Sequence, residues 1–507
     1  MILRNRIQIY ILLLMLLLQV KLFAQNIFVS NTGNDSNSGT IESPLVSISS
    51  AINKIKSGDT IFIRAGIYNL NSTINISKSG ISESKIFLFA YMNEKVILDY
   101  SAMAFGSSNR GVNLKGNYWH IKGIDFKGAG DNGMNISGSF NIIEMCNFYE
   151  NKDTGLQLSS GASENKIINC DSYYNADPDN YEDADGFAAK LNVGSGNYFY
   201  GCRAWQNIDD GWDGYLRDTD SISTTIEKCW SFANGYKKDW NTVSNSDGNG
   251  FKMGASDNKL LSHNFILNHC LSFNNKSKGF DQNSNQGSII IQNCSAYKNG
   301  TYNYAITTAI NPTSTVKVIN SLAYESLGQL CTFVEQTTNS WNINTQLNAG
   351  DFYSVDTTGV RSKRKSNGEL PDIDFIHLSL VSKLIDAGTD IGFTYEGNAP
   401  DIGAFESPYA SAVEDESIIP SSCELKNNYP NPFNPSTNIQ FTLNKAMDIS
   451  LEVYDALGSN IESLFYGRLD AGLHQFTFNA SGLTSGIYFV RLVTDNKIFT
   501  NKMIYMK

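Results

Sequence analysis

The chain reads as all-β, a parallel β-helix followed by a small β-sandwich module. Three observations predict this. First, a six-residue signature recurs at Cys146, Cys170, Cys202, Cys229, Cys270 and Cys294, with Cys first, an aromatic fourth and Asn sixth. The spacing is 24 residues from Cys146 to Cys170 and 41 from Cys229 to Cys270. Second, short β-rich runs such as 141–145, 166–169 and 289–292 fill the spacing, with no helical period. Each repeat is then one coil of a solenoid, lying about 4.8 Å above the last. Third, 428–436 read N-Y-P-N-P-F-N-P-S, and alternating strands follow at 437–443, 449–454, 473–479, 486–493 and within 499–507. That pattern predicts a small sandwich.

Residues 1–24 are expected to be a signal peptide. Arg4 and Arg6 give a positive start, 7–18 an apolar core, and Ala24 a small residue before the cut. A membrane anchor is the alternative, but about 12 apolar residues are too few to span a bilayer. Removing the peptide takes away Arg4, Arg6 and Lys21 and no acid, so the formal charge of −11 becomes −14. So acidic a protein is not expected to bind nucleic acid, and an anionic substrate needs local cations. No later stretch is apolar enough to span a membrane.

The β-helix domain is expected over 25–408. The stretch 44–55 places Ile48, Ala51, Ile52 and Ile55 on one helical face, suited to covering the first coil. First coils are expected at 59–68 and 84–98, and regular coils from about 118 to about 324. Residues 330–408 are less regular, and their basic run 361–365 reads as a solvated loop. A linker rich in Ser, Ala, Pro and acids covers 409–422, and the sandwich module 423–507.

Stacking puts like on like. Asn151, Asn175, Asn207, Asn234, Asn275 and Asn299 are expected to form an asparagine ladder. Tyr149, Tyr173, Trp205, Phe232, Phe273 and Tyr297 should form an aromatic column. The cysteines should form another, as buried free thiols rather than disulfides.

A second column follows each Asn, with Gly and then an apolar residue: Met134, Leu156, Phe187, Trp212, Phe251 and Phe280. The apolar member faces in and its neighbours face out. The outward set includes D-G-F-A at 185–188, D-D-G-W-D-G at 209–214 and G-N-G-F-K-M-G at 248–254. In register, Asp210 stacks on Asp185 and Lys252 on Asp213. Asp185, Asp209, Asp210 and Asp213 then lie beside one lysine, a cation site with a base next to it. The spacing from Cys to Gly is 9 for Cys146, Cys202 and Cys270, but 16 for Cys170 and 21 for Cys229. The added residues enter just before Asp185 and Lys252, as cleft-building loops do.

These motifs, with F-V-S-N-T-G-N-D-S-N-S-G-T near the start and P-D-I-G-A-F-E at 400–406, resemble pectate lyases of polysaccharide lyase family 9. The resemblance covers about 26–408 and implies a right-handed parallel β-helix. It also implies calcium-dependent β-elimination of polygalacturonate. It gives Asp185, Asp209, Asp210 and Asp213 as Ca²⁺ ligands and Lys252 as the Brønsted base. Ala255 departs from the second Gly common after K-M-G. The C-terminal module resembles the type IX secretion sorting domain, whose Y-P-N-P-F-N-P motif is intact. That implies a partner in the secretion machinery and export to the cell surface or medium. A monomer is expected.

The chemistry fits. The uronate C5 proton is poorly acidic beside its carboxylate anion, and Ca²⁺ on that carboxylate would stabilise the developing negative charge. Four carboxylates suit a hard cation. Lys252 would need a lowered pKa, which a nearby Ca²⁺ favours. Lys190, Arg217, Lys237, Lys238, Lys276 and Lys278 could hold substrate carboxylates or be merely solvated. Trp212 reads as core, and Tyr215 as exposed at the cleft. The five histidines show no ligand spacing, which argues against transition-metal chemistry. Two alternatives stand: a β-helix glycoside hydrolase using the Asp cluster, and a non-catalytic adhesin whose Ca²⁺ only stabilises coils.

Overall fold

The computed structural model describes residues 24–343, 346–408, 423–495 and 497–507. All but the last residue of the expected signal peptide, and the whole expected linker, lie outside that set. The chain divides into two compact units, one ending at Ser411 and the other beginning at Ala412.

The first unit is a parallel β-helix of three sheets, with twelve, ten and ten strands among the described residues. One coil contributes a strand to each in turn. Ile142–Glu144 joins the first sheet, Asn147–Tyr149 the second and Leu156–Leu158 the third. Register is strict: Met134, Leu156, Phe187, Trp212, Phe251 and Phe280 are successive Cα partners along the third sheet. The helix Ile48–Lys54 buries Ile48, Ala51 and Ile52 against the first coil, with Ser47 as N-cap. It shields edges that would otherwise pair with another chain.

The expected columns are present. Asn175 Nδ2 donates to Asn207 Oδ1 (2.8 Å), Asn207 to Asn234 (3.0 Å) and Asn234 to Asn275 (2.9 Å). Tyr149, Tyr173, Trp205, Phe232 and Phe273 stack in sequence, with centroids 4.4–5.7 Å apart. The six repeat cysteines are buried free thiols. Asn141, Asn165 and Asn197 form a further ladder at another corner. The glycine column has a steric reason. A Cβ on Gly186 would lie 2.7 Å from the Ala204 Cβ and 2.8 Å from Asn207 Nδ2. The ladder thus presses into the corner where the third sheet starts.

The irregular residues after 340 are a strap over the second sheet. Phe352, Val360, Phe375, Leu384 and Ile402 bury the outward aromatics Trp205, Trp230, Phe232 and Phe273. Left bare, that column would be a large apolar patch. The run 361–365 is exposed as expected at Arg361, Ser362, Lys363 and Lys365, but not at Arg364. Arg364 reaches Asp171 at 2.5 Å and Arg203 reaches it at 2.7 Å, while Arg361 lies over Phe232 and Trp240 at the surface. A buried carboxylate on the second sheet draws that one cation of the run inward.

The second unit packs a three-stranded and a four-stranded antiparallel sheet around one core, including Ile439, Phe441, Leu451, Val453, Val490 and Leu492. The strand Asn460–Leu469 was not expected. It is an edge strand with no fully buried residue, half of its positions exposed and half partly covered, so it lacks clean alternation. Among the described residues no helix is long and apolar enough to cross a membrane.

Two outcomes are expected. Asn207→Ala removes the buried acceptor of the Asn175 backbone and side-chain amides and one donor to Asn234, and should lower unfolding free energy by about 2–4 kcal/mol in urea titration, while reductant leaves the wild-type midpoint unchanged. Burial works against the Asp171 carboxylate, but Arg364 and Arg203 outweigh it and hold its pKa below the ordinary value. Its stabilisation is therefore present above about pH 4 and lost as pH falls through the folded pKa. Asp171→Asn should flatten that acid limb of the stability profile.

Candidate active site

The site lies where the third sheet leaves the ladder corner. Phe187, Trp212 and Phe251 point inward, as expected of Trp212, so Asp213 and Lys252 point out. Lys252 and Asp213 are direct Cα partners on adjacent strands. One coil earlier, Asp213 pairs with Ala188. The Gly186 amide donates to the Asp210 carbonyl and the Gly211 amide to the Asn249 carbonyl, which extends the same register to the corner acids.

Carboxylate oxygens of Asp185, Asp209 and Asp210 all lie within 4.8 Å of one another. Asp213 stands beside this trio, its carboxylate 4.0 Å from Lys252 Nζ and 3.5 Å from Lys190 Nζ. Backbone amides orient the acids: Asn249 N donates to Asp210 Oδ1 (2.7 Å), Asp210 N to Asp185 Oδ1 (3.2 Å) and Asp247 N to Asp209 Oδ1 (2.7 Å). Lys252 Nζ lies 3.0 Å from both Asp210 Oδ2 and Asp247 Oδ2, with its side chain 11 % exposed. Asp210 Oδ2 is wholly buried and accepts no well-directed hydrogen bond, although that ammonium is near. A buried carboxylate oxygen without a directed donor, inside a set of hard oxygen ligands, fits a Ca²⁺-sized cation.

Two residues were undervalued in the sequence. Lys190 is buried, not solvated, with Nζ 2.8 Å from Asp185 Oδ2. Asp247 arrives on the longer insertion and holds the Lys252 amine. Asp247 could have been suspected as an acid just before G-N-G, and Lys190 as a cation one step beyond the strand Phe187–Ala189. Burial raises the pKa of Asp185 and Asp210, and pushes Asp209 up to about 6. Burial disfavours the charged Lys252 amine, but Asp210, Asp213, Asp209 and Asp247 outweigh it and raise its pKa well above the ordinary value. That is opposite to what a base requires. The acids expected to hold a cation are the ones that hold this proton.

The other candidate cations have partners. Arg217 lies 3.3 Å from Asp257, and Tyr215, half-buried rather than open at a cleft, bonds the same carboxylate. Lys276 Nζ donates to the Val243 and Ser246 carbonyls and braces the second insertion. Lys278 pairs with Asp281 at 3.0 Å. Lys238 pairs with Glu150 at 2.5 Å, and Lys237 donates to the Tyr181 hydroxyl at 3.2 Å. His263 is buried between Thr224 and the Gly214 carbonyl, and burial lowers it to about 4, which leaves the imidazole neutral. Lys190→Met, by leaving Asp185 and Asp213 without that ammonium, should cost about 3–5 kcal/mol in urea titration, and Lys190→Arg clearly less.

Residues 27–320 match the family model "Pel9A-like, right handed beta helix region", and 427–506 match the secretion system C-terminal sorting domain. Pectate lyase L of Paenibacillus polymyxa (strain SC2) is 41% identical over 394 residues, covering 73% of this chain and 85% of that protein. Pectate lyase L of Dickeya dadantii (strain 3937) is 36% identical, covering 75% and 90%. The crystal structure of pectate lyase Pel9A superposes with a TM-score of 0.71 at 34% identity, covering 75% of this chain and 96% of that one. The chain thus belongs to the Pel9A-like right-handed β-helix family, with a C-terminal module of the secretion system sorting type.

Proposed function

We propose that the protein is an exported, calcium-dependent pectate lyase that cleaves polygalacturonate by β-elimination. One observation carries the reading: a lysine and a trio of convergent carboxylates share one outward face on successive coils, with Lys252 Nζ 3.0 Å from Asp210. The naming of its relatives and the sorting module support the substrate and the export.

Asp185, Asp209, Asp210 and Asp213 would hold the cation. When bound, Ca²⁺ neutralises the uronate carboxylate and stabilises the negative charge that develops at C5. With those four acids committed to a cation, Lys252 would keep only Asp247 of the carboxylates that now hold its proton. Its amine, free of the four, takes the C5 proton. The C5–H electron pair becomes the C4–C5 double bond as the C4–O bond to the next sugar breaks, and its pair leaves on that oxygen, which takes a proton from solvent. Asp247, on a loop and more than half exposed, is the acceptor best placed to swing away from Lys252. Lys190 stays with Asp185 as a fixed countercharge. A hydrolase reading draws its acid and base from Asp209, Asp210 and Asp213 and leaves Lys252 idle.

Wild-type protein on polygalacturonate should form the unsaturated uronate product, detected by its ultraviolet absorbance, and a chelator should abolish it. Lys252→Ala should lower the rate by about 10²–10⁴-fold. Chain shortening without the ultraviolet signal would point to hydrolysis, and unchanged activity in the variant would remove Lys252 from the chemistry.

A further inference from the structure

The insertions that flank the site also build a pocket beyond it. A cavity of about 400 Å³ is lined by Tyr174, Ala176, Gln206, Lys237 and Lys238, among others, on the outer side of the asparagine corner. Gln206 Nε2 donates to the Lys237 carbonyl at 2.9 Å, which ties the second insertion to that corner. Gln206 and Asp209 are three positions apart, so the chain between them spans at most about 11 Å. The pocket and the acids are neighbours on one flank.

The chemistry of the lining is specific. Lys237 Nζ sits 4.3 Å over the Tyr181 ring and donates to the Tyr181 hydroxyl; among the described residues it pairs with no carboxylate. Lys238 Nζ lies 5.2 Å from the Tyr174 ring centroid and pairs with Glu150 at the exposed rim, a partner that a substrate carboxylate would share or displace. Asp239, the acid of the pocket, is engaged by Asn241 on its own loop. On the same loop Trp240 is 54 % exposed, an unusual place for a large ring. Two ammonium groups held over aromatic faces, beside apolar ring surface, match an anionic sugar: charge for the carboxylate and ring for the pyranose face. An anionic polymer also needs such cations, because the catalytic groove itself gathers Asp185, Asp209, Asp210, Asp213 and Asp247.

We propose that this pocket is a uronate-binding subsite, taking a carboxylate of the acidic polysaccharide on Lys237 and Lys238 and its ring against Tyr174. This rests on the reading above of polygalacturonate as substrate, and the test separates the two. The double variant Lys237→Gln/Lys238→Gln is made in the full chain, both alone and with Lys252→Ala to prevent turnover. Short oligogalacturonates and their methyl esters are titrated by calorimetry. The expected result is a loss of affinity for the acid form of about tenfold, little change for the ester, and a matching rise in KM on polygalacturonate. Arginine at both positions should restore binding in part. Thermal melting confirms that the variants are folded, and Tyr174→Leu, which keeps both lysines, should weaken acid and ester alike. Unchanged affinity in the folded double variant, or an equal loss for acid and ester, overturns the subsite. If the wild type makes unsaturated product all the same, the lyase reading stands without it. If the wild type makes none, that reading falls, and acid-selective binding still supports the pocket.

Discussion

Parallel in-register stacking ties every feature of the first unit together. A residue on one coil has a fixed neighbour on the next, so any side chain that tolerates its own kind becomes a column. Asn tolerates it because an amide both donates and accepts, and Asn175, Asn207, Asn234 and Asn275 use both functions. Aspartate does not tolerate it. Asp185 and Asp210 are stacked acids, both 0 % exposed, and such a pair persists only with cations close by.

The site is therefore a problem of charge balance, met with two internal ammonium groups. Lys190 is 2.8 Å from Asp185, and Lys252 is 3.0 Å from Asp210. Their settings differ. Lys190 is enclosed, whereas Lys252 is shared with Asp247 on a loop. The first suits a permanent countercharge, the second an amine that can be released. This asymmetry comes from one insertion, since the loop bearing Asp247 is anchored to the coil by Lys276.

The outer surface follows from the same stacking. A column of aromatic rings on the second sheet must be covered, and residues after 340 cover it. The strap carries Arg361 and Arg364, and Arg364 ends against the buried Asp171 while Arg361 lies over Phe232 at the surface. Covering one face leaves the corner with the insertions as the open flank, where both the acids and the lysine-lined pocket lie.

Sequence alone determined the repeat, and with it the β-helix, the Asn and aromatic columns, and the register of Lys252 on Asp213. These depend only on period and on like stacking with like, which a linear chain displays. The edge strand Asn460–Leu469 was hidden because Ile461, Leu464, Phe465 and Leu469, which pack on the core, do not fall at a strict spacing of two. Tertiary structure alone decided the fate of the loose cations. Arg364 sits in a run that reads as solvated, and Lys190 is marked only by its place one step beyond a strand. Each is drawn in by a carboxylate, Asp185 five residues away and Asp171 nearly two hundred. Ion pairing depends on where folding brings the ends of flexible side chains, and no local pattern encodes that.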